Sequence, residues 1–483
     1  MSFAPWIDAG LAWIWTNLFV VVGWAIALVA FVMIPFRRSP AEARGWLLLF
    51  FALPWLAVIL YGIVGRPTLP AERERRLRKL PELFENIPSK TGMGDTRFKP
   101  ELSSDNHSIA RLSRGLGSFG PVKGNSIETL SSYEGAFDSL IEDIGSAKHH
   151  VHLQFYIFAN DRAGKRIMAA LEEAAARGVT CRVLIDALGS FGSTAAIKRR
   201  LKPQGIEVEA ILPLRRRLRS SRLDLRNHRK IAIIDGSVGY TGSQNLWDPS
   251  IDTSRPNRDI FLRLTGPIVV QLQAVFIADW YLETLEELLD SELFPQPVPG
   301  DTCAAQIVAS GPDYPEAGID LIFAQAMHNA LDEIVITSPY FIPNEAILSA
   351  IKAAILGGVQ VSLITARKSD HRIAGLAQRS YYRELLDLGM SIHLYGPEFL
   401  HAKHLRVDQE VSIVGSSNMD VRSFELNAEA DFICYDGELA VTLKALEADY
   451  CAQSTKLELE EWAGRPLISK VLENSARLMS ELI

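Results

Sequence analysis

The sequence predicts an α/β protein: two similar α/β subdomains packed about a pseudo-twofold, preceded by two N-terminal transmembrane helices. Three observations predict it. Two long uncharged runs occupy the N-terminus, strand-like and helix-like segments alternate after about residue 125, and that alternation occurs twice in the same order. The bulk composition is compatible with this, since 48% hydrophobic and 22% charged residues exclude a disordered chain. A formal net charge of -7 gives no global reason to expect nucleic-acid binding. Cys181, Cys303, Cys434 and Cys451 lie far apart without a CxxC pair, which argues against a zinc site or disulfide framework and fits a reducing compartment.

The first run, Ala9 to Phe36, and the second, Gly45 to Gly65, each exceed the ~20 residues a helix needs to cross a bilayer. Spans are expected at about 11–34 and 45–65, with Trp13, Trp15, Trp46 and Tyr61 near their ends, where amphipathic rings favour the interface. A basic leader and a small-residue cleavage site are both missing, so a retained hairpin over 9–65 is favoured over a signal peptide. Arg66, Arg73, Arg75, Arg76, Arg78 and Lys79 follow the second span, against Arg37, Arg38 and Arg44 between the spans. Six against three places the C-terminal portion in the cytoplasm. Residues 66–125 read as a basic linker that begins with a short helix and continues as loop.

The repeats are expected at 126–295 and 296–483. HVHLQFYIFA, AGKRIMAALEEAAARG and TCRVLIDALG form the strand, helix and strand of the first copy. EIVITSPYFIP, NEAILSAIKAAILGG and VQVSLITA do so in the second. Each copy then passes through a helix to a short strand, GIEVEAILP or GMSIHLYGP, and on to a motif of fixed spacing.

That motif reads His228-Arg229-Lys230, four residues, Asp235, six residues, Gly242-Ser243-Gln244-Asn245. Its twin reads His401-Ala402-Lys403, four residues, Asp408, six residues, Gly415-Ser416-Ser417-Asn418. His and Lys at i and i+2 share one face of a strand. The chain turns near Asp235 or Asp408 and returns as SVGYTGS or EVSIVGS, bringing Gly, Ser and Asn back beside them. Each motif thus offers a nucleophile or acid, a fixed cation and neutral donors to an anionic oxygen, and two facing motifs make a phosphodiester site.

These residues resemble the HKD signature of the phospholipase D superfamily. The resemblance implies double displacement at phosphorus: one histidine forms a phosphohistidine, and the other protonates the leaving alkoxide and then deprotonates the incoming alcohol. Lys230 and Lys403, with Ser243, Asn245, Ser416 and Asn418, would hold the phosphate oxygens. Asp235 and Asp408 belong to the signature and are counted with the catalytic set, although a strand turn suits a structural role. Asp259 and Glu429, in the matched strings NRD and NAE, resemble the family's histidine-orienting acids. No metal and no cofactor is implied.

The HKD pair alone leaves nucleases, phospholipases and phosphatidyltransferases open. The strings RNHRKIAIIDGSVGYTGSQN, ITSPYFIPNEAIL, RSYYRELLDLG and GSSNMDVRSFELNAE are similar to bacterial cardiolipin synthases, as is the length of the chain. That resemblance implies a multi-pass protein of the bacterial inner membrane acting on phosphatidylglycerol among anionic lipids, with no nucleic-acid partner. A hydrolase releasing phosphatidic acid, or a transferase using phosphatidylethanolamine, would share the motifs. Which histidine attacks is left undecided by their near symmetry. The run Arg215, Arg216, Arg217, Arg219, Arg222, Arg226 is either solvated surface or an attractor of anionic headgroups. His149, His150 and His152 look like a ligand set, but strand alternation leaves only two on one face.

Overall fold

A computed structural model describes the chain except residues 1–3, 39, 64, 66–68, 70, 81–95, 214–223, 249–255, 302, 314–317 and 479–483. It divides into an N-terminal unit and a larger unit that carries both repeats.

In the N-terminal unit a helix spans Ala4–Met33, with side chains described from Asn17 onward, so Trp13 and Trp15 lie outside the described residues. Among the described residues, Asn17–Phe36 is the one helical stretch long and apolar enough to cross a membrane. The second expected span is not one helix. It forms Pro40–Ala52 and Pro54–Ile63, because Pro54 has no N–H to continue the ladder. Leu53 N donates to Leu49 O and Ala57 N to Leu53 O, both at 2.8 Å, so the helix resumes directly beyond the break. Phe19 stacks on Trp55 at 4.8 Å, and Gly23 faces Pro54 so closely that a Cβ would lie 3.1 Å from its ring. Trp46 is buried edge-on against Tyr61 at 5.0 Å, so it packs the hairpin rather than standing at its rim.

The larger unit is built on one sheet shared by both repeats. From its outer edge inward, the first repeat contributes Glu207–Ile211, Thr180–Asp186, His150–Phe155, Lys230–Ile234, Val238–Gly242, Phe261–Thr265 and Val122–Leu130. The second contributes Ser391–Tyr395, Gln360–Ala366, Glu333–Thr337, His404–Val407, Val411–Gly415, Asn427–Cys434 and Cys303–Ser310 in the same order, with Ser454–Lys456 outside them. The two halves join where Val122–Leu130 pairs antiparallel with Cys303–Ser310. The strand order of one half mirrors that of the other about that junction.

Local signals set the flanking helices. Asp161 caps Arg162–Ala176 by accepting from Gly164 N at 2.8 Å, and Asn344 caps Glu345–Leu356 by accepting from Ile347 N at 3.1 Å. The expected linker is more structured than the sequence suggested. It holds helices Ala71–Leu77 and Ser104–Gly115, and Arg73 is buried against Asp313 and Glu283. Helix Ile268–Thr284, buried from Ile268 through Leu282, lies against the sheet near the junction. Cys303 and Cys434, 131 residues apart, meet with their sulfurs at 3.2 Å on neighbouring central strands. His152 stacks on Phe276 at 4.4 Å and bonds Gln273, a packing role.

Candidate active site

Each motif enters the site through a two-residue strand paired with the other repeat. Arg226–Asn227 runs parallel to Asn427–Ala428, and His228 N donates to Ala428 O at 2.8 Å. Phe399–Leu400 runs parallel to Asn257–Arg258, and His401 N donates to Arg258 O at 2.8 Å. The acids that end these partner segments therefore arrive beside the other repeat's histidine. His228 Nδ1 lies 2.9 and 3.1 Å from the two carboxylate oxygens of Glu429, and His401 Nδ1 lies 2.7 Å from Asp259 Oδ1. Both rings keep Nε2 for the cavity they line.

The lysines stand behind their histidines. Lys230 Nζ donates to His228 O at 2.5 Å and Lys403 Nζ to His401 O at 2.7 Å, and both side chains are buried. Burial brings Lys230 down to about 7 and Lys403 down to about 8. Burial, then the Lys230 and Lys403 charges, holds His228 well below the ordinary imidazole range. Burial and Lys403 also lower His401, with Asp259 opposing them. The two acids differ. Burial raises Glu429 to about 7, whereas for Asp259 the pull of burial is outweighed by His401 and Lys403, leaving it below the ordinary range.

Two sequence assignments need correction. Asp235 and Asp408 are not at the reacting centre. Asp235 follows strand Lys230–Ile234 and Asp408 follows His404–Val407, each about 16 Å of extended chain from its lysine. There Asp235 accepts from the N–H groups of Lys148, His149 and His150 at 2.8–2.9 Å, and Asp408 accepts from those of Leu331, Asp332 and Glu333 at 2.7–2.9 Å. Both sit at positive φ, 52° and 50°, which Asp tolerates better than most residues. Ser243 and Ser416 are also turned away from the cavity. Ser243 Oγ donates to Asp259 at 2.5 Å and accepts from Ile260 N, while Ser416 Oγ accepts from Ala430 N at 2.9 Å. They brace the acid-bearing strands. Gly242 and Gly415 permit this contact, since a Cβ would lie 2.4 Å from Ile260 O or 2.2 Å from Asp431 Oδ1.

Asn245 and Asn418 do line the cavity, a space of about 1120 Å³ that also takes in Tyr156, Tyr340, Arg226 and Arg422. Tyr156 meets His228 edge-on at 4.9 Å. Arg226 is thus a cavity residue, while the rest of its arginine run lies outside the described residues. Among the described residues no group of three or more His, Cys, Asp or Glu is placed to hold a metal ion.

Sequence reasoning missed the support beneath the first motif. Arg229, fully buried, pairs with Asp279 and donates to Glu429 O and Ser310 O, both at 3.0 Å. Asp186, also fully buried, accepts from Asn227 N at 2.9 Å and fixes the entering strand. The available signal was an arginine between His and Lys where the twin motif has Ala402.

A family model described as "Cardiolipin synthase, PLD-like domain" matches residues 140–280 and 323–448. Cardiolipin synthase A of Proteus mirabilis is 33% identical, covering 97% of this chain and 100% of its own length. The major cardiolipin synthase ClsA of Bacillus subtilis is also 33% identical, covering 97% and 98%. Among solved structures, the phosphatidylserine synthase of Haemophilus influenzae superposes with a TM-score of 0.58 at 15% identity, over 74% of this chain and 95% of that one, a likeness of fold. With alignment running nearly end to end, the chain belongs to the cardiolipin synthase family of phospholipase D-like phosphatidyltransferases.

Proposed function

We propose that this protein transfers a phosphatidyl group between two phosphatidylglycerol molecules, giving cardiolipin and glycerol. The observation that carries the chemistry is the pair of histidines on one cavity, each with Nδ1 held by a carboxylate and Nε2 left to react. Relatives named as cardiolipin synthases along almost the whole chain support the choice of lipid.

The unequal acids support a division of labour. Asp259, held below the ordinary range and 2.7 Å from His401 Nδ1, suits His401 to carry the proton, which leaves His228, beside the raised Glu429, as the nucleophile. The Nε2 lone pair of His228 attacks phosphorus, the bond to the glycerol oxygen breaks, and His401 gives that oxygen its proton. The second lipid's terminal hydroxyl then passes its proton to His401 while its oxygen attacks phosphorus and the P–N bond breaks. Lys230 and Lys403 set the positive potential beneath the phosphate, and Asn245 and Asn418 donate to its oxygens.

We read the N-terminal unit as two spans, the second passing through the Pro54 kink, with the repeats at 126–295 and 296–483 on the cytoplasmic side of a bacterial inner membrane. Pro40–Ile63 taken through the kink has the length for it. The test is to incubate the purified protein with phosphatidylglycerol vesicles and chelator and to follow lipids by mass spectrometry. Cardiolipin with free glycerol, lost in His228→Ala and His401→Ala, is expected. Phosphatidic acid alone would make the protein a hydrolase, and a requirement for phosphatidylethanolamine would change the substrate pair.

A further inference from the structure

The proposed reaction brings two phosphates to one cavity, and the histidines handle only one. In the product the phosphates are joined through a three-carbon glycerol, six bonds from phosphorus to phosphorus, so roughly 7 Å separates them when extended, at ~1.5 Å per bond with tetrahedral bends. A second anionic group must therefore be accommodated within the same cavity while the new bond forms.

Beyond Arg226 on the first repeat and Arg422 on the second, the cavity walls differ in one pair of matched segments. The segment after Thr180–Asp186 in the first repeat, residues 187–193, carries no charge. Its counterpart after Gln360–Ala366 reads Arg367-Lys368-Ser369-Asp370-His371, and Lys368 lines the cavity with Arg372. Arg372 opens the 17-residue helix Arg372–Leu388, whose N-cap His371 makes no side-chain capping bond. The positive end of that helix and two flexible cations thus meet on one wall. The acids nearby are already engaged. Asp370 accepts from the Tyr340 hydroxyl, Glu398 accepts from the Tyr395 hydroxyl at 3.4 Å, and Asp420 caps Ser423 N at 2.7 Å.

We propose that Lys368, Arg372 and the first turn of helix Arg372–Leu388 bind the phosphate of the acceptor lipid, making the second repeat's wall the acceptor site. The inference rests on the transfer reaction proposed above. It explains how the site favours a phospholipid alcohol over water or free glycerol, neither of which carries a phosphate to engage this wall.

The experiment compares the full-length protein with Lys368→Ala, Arg372→Ala and the double variant in phosphatidylglycerol vesicles. Two rates are read: exchange of labelled free glycerol into phosphatidylglycerol, which needs only the donor site, and cardiolipin formation. Loss of charged hydrogen bonds to phosphate should slow cardiolipin formation by about 10- to 100-fold in the double variant. Exchange should stay within about twofold, and phosphatidic acid should rise relative to cardiolipin. Lys368→Arg should retain cardiolipin formation. Equal loss of both rates, or loss of neither, would overturn the acceptor site while leaving the transfer reaction standing. Wild-type protein that exchanges glycerol yet makes no cardiolipin would sink both.

Discussion

A histidine whose Nδ1 is held by a carboxylate has one ring nitrogen left for chemistry, and its tautomer is fixed. Asp259→Asn and Glu429→Gln should therefore lower the turnover of cardiolipin formation by about 10²- to 10⁴-fold while leaving circular dichroism unchanged. Rapid quenching into alkaline denaturant during turnover, followed by peptide mapping at alkaline pH where a P–N bond survives, should locate the phosphoryl adduct on His228; label on His401 would reverse the assigned roles. The lysines give the pH dependence its sign. With Lys230 lowered to about 7 and Lys403 to about 8, raising the pH strips positive charge from the empty site. The ratio kcat/KM for phosphatidylglycerol should fall as pH rises through 7 to 8, and Lys230→Arg, which removes the lower of the two, should shift that limb upward. Asp235 and Asp408 behave differently, since each satisfies three backbone N–H groups. Alanine at either should cost about 1–3 kcal/mol in urea unfolding, with activity per folded molecule retained. At this scale the reactive residues were legible because their spacing repeats. The misplaced serines and aspartates share that spacing, and spacing does not reveal which way a hydroxyl or carboxylate turns once strands pair.

Among the elements, the paired strands and their flanking helices were legible because each carries its own signal: an apolar run, a capping Asp161 or Asn344, a glycine at the end. Helix Ile268–Thr284 gave no such signal. Buried all around, it has no polar face to mark a period. Pro54 was visible in the second apolar run, but hydropathy summed over the run passes across it. The buried Arg229–Asp279 pair ties that central helix to the strands bearing Glu429 and Ser310. Removing one partner leaves a buried charge. Arg229→Met should therefore lower stability by about 3–5 kcal/mol, and Arg229→Met with Asp279→Leu should recover much of it in chemical denaturation.

For the whole molecule, the decisive fact is that Asp259 serves His401 and Glu429 serves His228. Matched placement made both acids visible in the sequence, but the exchange of partners was not. It depends on Arg226–Asn227 and Phe399–Leu400 each pairing with the opposite repeat, and two-residue strands carry no periodic pattern. In the proposed mechanism both histidines act on one phosphorus, so mixing purified His228→Ala with His401→Ala should restore no cardiolipin; recovery would mean that sites form between chains. The exchange also bears on descent. A single ancestral repeat with the same crossing would hold a histidine without its acid and an acid without its histidine. Such a gene product would be inert until two copies met across a twofold axis, so fusion of two genes would have made permanent a partnership that catalysis already required. Drift after such a fusion would run diagonally, with changes near Asp259 answered around His401 and changes near Glu429 around His228.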